Sequence, residues 1–180
     1  MNQGRTRPTI YAGGESEAAK QLIASACDAY VMHGDPPENV APKVSDMRRR
    51  REEASATSVA AGAQALAPME YGMAAYVIVR DTEAEAQREL ARVTNVAPGS
   101  PGFANYQDWV RNTQLERALS LEDYSVSNRG LRAGLVGTPE QVAGQVRAFA
   151  DAGVGLLLLQ CSPQLEEMER FSEQVMPLVV

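Results

Sequence analysis

Four short apolar runs, each followed by a helical pattern, constrain this chain more than any other feature. The first is Thr9–Ala12, followed by Ser16–Cys27. The second is Ala29–Met32, followed by a helix over about 36–54. The third, Tyr71–Val79, leads to a helix ending near Val93, and the fourth, Val154–Gln160, to the closing segment "PQLEEMERFSEQVMPLV". Short apolar runs without strict alternation read as strands covered on both faces. Strand alternating with helix implies βα units and a parallel sheet.

Helix starts are marked clearly. Asp35-Pro36-Pro37-Glu38 predicts an Asp N-cap with proline at the first helical position, and Thr82/Glu85 and Thr138/Gln141 have capping-box spacing. Val40, Val44 and Met47 recur at i, i+4, i+7 and predict one buried stripe. The same logic predicts a buried face of Leu165, Met168, Phe171, Val175 and Leu178 on the closing helix. The run Arg48-Arg49-Arg50-Arg51, with Asp46, Glu52 and Glu53 as neighbours, reads as the solvated end of a helix. Residues 95–137 differ in kind: they are rich in Gly, Ser, Pro and Asn and hold Tyr106, Trp109 and Tyr124. Such an insertion is either a cover over a site or decoration.

A length of 180 residues suits one domain. A net charge of −6 makes a nucleic acid or an anionic membrane surface a poor partner. The N-terminus lacks a basic region followed by an apolar core, and no apolar run is long enough to cross a bilayer, so a cytoplasmic protein is expected. Cys27 and Cys161 have no metal-type spacing and read as free thiols. With His33 as the only histidine, neither a zinc cluster nor a Ser-His-Asp arrangement can be assembled, so no metal site is expected and the chemistry is expected from a bound cofactor.

Ligands of parallel α/β folds bind at the carboxyl ends of strands. The first such end is Gly13-Gly14-Glu15-Ser16. Glycines admit a ligand close to the backbone, and free N–H groups at the start of the next helix favour an anion such as phosphate. The alternative is a plain tight turn with Ser16 as N-cap. At the second end, His33 either faces a ligand or is a hydrogen-bonded wall residue. On the third strand Ala74 and Tyr76 share a face by the period of two, with room for a flat ligand or for packing. The fourth end is Gln160-Cys161-Ser162-Pro163, where no basic neighbour is evident to make Cys161 a nucleophile.

With these ends in place, "IYAGGESEAA", "CDAYVMHGDPPENVAPKVSDMRRRR", "YGMAAYVIVRDTEAEAQRELARVT", "LEDYSVSNRGLRAGLVGTPEQV" and "LLLLQCSPQLEEMERF" carry a resemblance. The chain resembles the C-terminal half of the bacterial luciferase-like, flavin-dependent monooxygenases. Within that family it is most similar to the branch that uses reduced FMN to oxidise dimethyl sulfone. The resemblance implies an α/β fold in which residues 1–180 form a single partial (β/α)8 TIM-barrel domain, with an insertion at about 95–137 before the last strand. It implies reduced FMN (FMNH2) as cofactor, its phosphate held by Gly13, Gly14, Glu15 and Ser16. Tyr76 and Arg129, with Arg132 as the alternative register, take catalytic positions; either arginine would cover the flavin or stabilise the anion formed when it meets dioxygen. His33, Ala74 and Ser162 take substrate positions. Alkanesulfonate relatives carry an arginine and a histidine where Ala74 and Tyr76 stand, and a tyrosine where Ser162 stands. That departure favours a neutral sulfone over a sulfonate, because a buried sulfonate needs a cation nearby.

The implied reaction cleaves dimethyl sulfone to methanesulfinate and formaldehyde with O2, an NAD(P)H-dependent flavin reductase supplying FMNH2. A related alkanesulfonate or organosulfur substrate, and a non-catalytic half barrel binding a phosphate ligand or a partner chain, are the alternatives. Four strands stand where the family has eight, so a homo-oligomer or a separate barrel half is expected, and little turnover from the chain alone.

Overall fold

The computed structural model describes residues 7–95, 97, 107–108 and 130–179. In chain order the elements are β1 (Tyr11–Ala12), α1 (Glu17–Ala26), β2 (Ala29–Met32), α2 (Pro37–Ala60), β3 (Glu70–Tyr76), β4 (Ile78–Val79) and α3 (Glu83–Thr94). A 3-10 turn (Leu131–Ala133), β5 (Val136–Gly137), α4 (Pro139–Asp151), β6 (Leu156–Gln160), α5 (Gln164–Arg170), a π-helical segment (Phe171–Val175) and α6 (Met176–Val179) follow. The chain divides into two compact units, Met1–Ala74 with Ala148–Leu158, and Ala75–Arg147 with Leu159–Val180.

The main sheet has the order β1-β2-β3-β6. Its first three strands are parallel, with Tyr11 opposite Ala29 and Met32 opposite Met73. β2 is interior to the sheet, and Ala29, Tyr30 and Met32 are at most 3% exposed, as an apolar strand covered on both faces requires. Asp28 fixes the entry to β2: its carboxylate accepts from Ile10 N at 2.8 Å and from both terminal nitrogens of Arg7. β6 is a terminal strand of the sheet, and its leucines are only half-buried or, at Leu158, exposed.

Helix α2 keeps its expected stripe, with Val40, Val44 and Met47 buried. It does not end at the arginine run but continues to Ala60. Nor is the run a solvated end. Arg51 is buried on the same stripe, four residues after Met47, and donates to the carbonyls of Ala24, Cys27 and Ala67. Arg50 bridges Glu17 and Asp46, and the Arg48 guanidinium lies over the Tyr71 ring at 5.9 Å. The helix start also differs from expectation: Pro36 is the N-cap residue with no side-chain cap, because the Asp35 carboxylate is engaged by Lys43.

In the second unit, β4 pairs in parallel with β5, Ile78 opposite Val136. Residues 130–137, expected as the tail of an irregular insertion, thus contain a 3-10 turn and a strand. Tyr76, Ile78, Ala86, Val93 and Leu131 form the core there. Thr82 caps α3 by accepting from Glu85 N at 3.3 Å. The box at α4 is reciprocal: Thr138 N donates to Gln141 Oε1 at 2.9 Å, and Gln141 N donates to Thr138 Oγ1. The closing segment corrects a sequence expectation. Val175 is fully buried, but Leu165, Met168 and Leu178 are exposed, and Glu167 turns inward instead. Its carboxylate pairs with Arg80 at 2.8 Å, which fixes the rotation of α5.

Candidate functional site

β1 and β2 run parallel and in register, so the loops that follow them emerge on one edge of the first unit. A cavity of about 560 Å³ opens there. Its walls are Gly13–Glu15 after β1, Val31–His33 at the end of β2, and Ala74 on β3. That volume lies within the range of small-molecule sites.

Packing explains the two glycines. A Cβ on Gly13 would stand 2.9 Å from the Val31 carbonyl oxygen, and one on Gly14 would stand 2.7 Å from the Ala19 Cβ. Bare backbone is what lets the chain turn from β1 into α1 against β2. Ser16 then caps α1, its Oγ accepting from Ala19 N at 3.3 Å. An accepting hydroxyl keeps its own proton to donate, and the first-turn N–H groups of a helix have no intrahelical acceptor.

Glu15 brings a carboxylate to the cavity wall, and Lys43 answers it. Lys43 Nζ lies 2.8 Å from Glu15 Oε1 and 3.2 Å from Asp35 Oδ2. One ammonium thus joins the loop after β1 to the loop after β2. Burial alone would lower the Lys43 pKa; hydrogen bonds to Glu15 and Asp35 more than reverse this, and it rises. The Tyr30 hydroxyl, buried and without a hydrogen-bond partner among the described residues, feels Glu15, Lys43 and Asp46 as charged neighbours, and burial pushes its pKa up. Sequence reasoning missed Lys43. No spacing signal marks it, because its partners come from two different loops.

Of the site residues expected from sequence, the structure gathers Gly13, Gly14, Glu15, His33 and Ala74 around this cavity, with Ser16 at the adjoining helix start. His33 is exposed and Ala74 half-buried. Tyr76 and Ser162 belong to the other unit: Tyr76 sits in its apolar core, and Ser162 is exposed after β6, ahead of a cis peptide bond to Pro163. Arg129, Tyr106, Trp109 and Tyr124 lie outside the described residues, whereas Arg132 is exposed in the 3-10 turn. The Cys161 thiol is pushed up by burial and then by Glu167, which disfavours a thiolate. Among the described residues there is no group of three or more His, Cys, Asp or Glu that could hold a metal ion, and no helix long and apolar enough to cross a membrane.

The donor set suits a phosphate-bearing ligand on two grounds. Ser16 Oγ–H and the first-turn N–H groups of α1 stand beside the cavity as donors, and the Glu15 carboxylate among the described lining residues is matched by an ammonium.

Known proteins match this architecture. The luciferase-like monooxygenase family profile covers residues 1–155. The FMNH(2)-dependent dimethylsulfone monooxygenase of Pseudomonas fluorescens (strain Pf0-1) is 31% identical over 187 residues, covering 96% of this chain and 46% of that protein. The crystal structure of DmoA from Hyphomicrobium sulfonivorans superposes with a TM-score of 0.67 at 20% identity, over 94% of this chain and 41% of that one. The long-chain alkane monooxygenase LadA gives the same TM-score at 21% identity, over 94% and 40%. The chain therefore spans about half the length of the curated relative it matches. At these identities the structural matches speak to the fold, parallel βα units of the TIM-barrel monooxygenases, and the profile and the curated relative speak to descent. The chain belongs to the luciferase-like monooxygenase family.

Proposed function

We propose that this chain forms the flavin-phosphate side of a two-component monooxygenase that uses reduced FMN and O2 to cleave dimethyl sulfone to methanesulfinate and formaldehyde. One observation carries the reading: residues assigned from three separate stretches of sequence line one cavity at the strand ends. Reduced FMN supplies the activation of dioxygen. The chain's own residues bind and orient. Ser16 Oγ–H and the free N–H groups at the start of α1 donate to the phosphate. Gly13 and Gly14, required by packing against Val31 and Ala19, form the turn that sets these donors in place. His33 and Ala74 line the part of the wall contributed by β2 and β3, where no lysine or arginine is among the described lining residues. A neutral sulfone needs no cation there, which favours it over a sulfonate. Tyr76, Ser162 and an arginine at 129 or 132 remain assigned by resemblance alone.

The stoichiometry balances as dimethyl sulfone, O2 and FMNH2 giving methanesulfinate, a proton, formaldehyde, water and FMN. A cytoplasmic NAD(P)H-dependent flavin reductase would supply the FMNH2. Calorimetric titration with FMN tests the site. Ser16→Ala is expected to weaken binding by roughly tenfold, the worth of one hydrogen bond to a charged group; an unchanged affinity counts against the phosphate assignment. A substrate panel on the complete enzyme tests the substrate: formaldehyde from dimethyl sulfone and little from methanesulfonate is expected, and equal rates refute the weight placed on Ala74.

A further inference from the structure

We propose that Lys43 is the positioning residue that makes the cavity accept an anion, by neutralising the Glu15 carboxylate on its wall. The inference rests on the phosphate reading above and concerns what that reading leaves unexplained. The turn that would hold a phosphate carries a carboxylate of its own, and like charges at close range repel. Lys43 Nζ sits 2.8 Å from Glu15 Oε1, and its side chain is only a quarter exposed. Asp35 Oδ2 holds the same ammonium from the other side at 3.2 Å, which fixes where the charge stands. Water reaches the pair from the Glu15 side, where the side chain is 51% exposed, so a high effective dielectric applies between it and a bound anion. With Lys43 present, Glu15 and Lys43 cancel at the cavity edge. Without it, Glu15 at the cavity edge and Asp35 behind it are both uncompensated, one unit of negative charge more than before.

A plain structural staple between the two loops has the same geometry, so the test separates charge from scaffolding. FMN and riboflavin share the ring system and differ by the phosphate, which is close to dianionic at pH 8. Affinities of the purified chain for both flavins are measured by fluorescence quenching. For one unit charge and a dianion at roughly 8 Å, with an effective dielectric of about 60, Coulomb's law gives about a tenfold change in affinity. Lys43→Met is expected to lower the preference for FMN over riboflavin by that factor, with riboflavin affinity unchanged. The double variant Lys43→Met/Glu15→Gln is expected to restore it.

If the wild-type chain binds neither flavin, or both equally, the phosphate reading itself fails. If the wild type prefers FMN and Lys43→Met keeps the preference, or loses both flavins alike, Lys43 is a staple and this inference fails alone. If the double variant does not recover, neutralisation of Glu15 is refuted. Should Lys43→Met not fold, Glu15→Gln decides: it removes one negative charge from the cavity wall and is expected to raise FMN preference about tenfold, and an unchanged preference overturns the proposal.

Discussion

Arg51→Met isolates the least expected feature of the first unit, an arginine buried in the helix stripe. The guanidinium donates from Nε to Ala67 O at 2.9 Å, and from Nη1 to Ala24 O at 2.8 Å and Cys27 O at 3.0 Å. These carbonyls lie in the last turn of α1, at its C-cap and in the connection before β3, so one side chain ties three segments together. It also sits where the negative end of the α1 dipole calls for a cation. Each hydrogen bond to a charged donor contributes about 1.5–3 kcal/mol net. The three share one side chain and do not add fully, and methionine avoids the desolvation cost of a buried charge. A loss of about 3 kcal/mol is therefore expected, against a total stability on the order of 5–15 kcal/mol for a domain. At an m-value of about 2 kcal/mol per molar, the urea midpoint followed by far-ultraviolet circular dichroism falls by about 1.5 M. Arg49→Ala is the control. Among the described residues Arg49 pairs with Asp46 and Glu53 from a side chain that is itself 55% exposed, so its removal is expected to cost less than about 1 kcal/mol. If Arg51→Met is no worse than this control, the buried carbonyl bonds contribute nothing measurable and the reasoning fails.

The strand-helix alternation was legible because short apolar runs and capping residues are local signals. Thr138 and Gln141 form the box their spacing announces, and Val40, Val44 and Met47 are buried as the period requires. What sequence could not carry were pairings between distant segments. Arg51 reads as part of a solvated helix end and Glu167 lies off the predicted apolar face, yet each is buried because a partner from another element waits for it: three carbonyls for Arg51, Arg80 for Glu167. Rotating α5 to bury Glu167 is what leaves Leu165 and Met168 exposed, against their helical period. Asp35 fails as an N-cap for the same reason, since Lys43 offers its carboxylate a charged partner in place of a neutral N–H. The site follows this division. The glycine turn, His33 and Ala74 were readable as strand ends, whereas the Glu15–Lys43–Asp35 triad was not, because Lys43 on α2 meets a carboxylate 28 residues earlier in the sequence as well as its near neighbour Asp35.

The remaining predictions concern the glycine turn and acid stability. Gly14→Ala is expected to cost about 1–3 kcal/mol, as overpacking does, because the added methyl would stand 2.7 Å from Ala19 Cβ, on helix α1 itself; a urea midpoint equal to wild type would show that the turn relaxes freely. Acid should weaken the chain through carboxylates held below their ordinary range. Hydrogen bonding to Arg50 lowers Glu17, and hydrogen bonding to Arg92 lowers Glu89. At Asp46 burial pushes upward, but hydrogen bonds from Arg50 and Arg49 outweigh it, and its pKa falls as well. Groups with a depressed folded pKa contribute stability that is fully present above the unfolded value, about 4, and that is lost as pH falls through the folded value. The urea midpoint should thus be level from about pH 7 to 5 and fall below about pH 4. Asp46→Asn should flatten that fall, since it removes a carboxylate that would otherwise have to take up a proton. It should also lower the neutral-pH midpoint, because Arg49, Arg50 and Lys20 lose a shared anion. A wild-type midpoint that stays level down to pH 3, or an Asp46→Asn profile that falls as steeply as wild type, would place the acid sensitivity elsewhere.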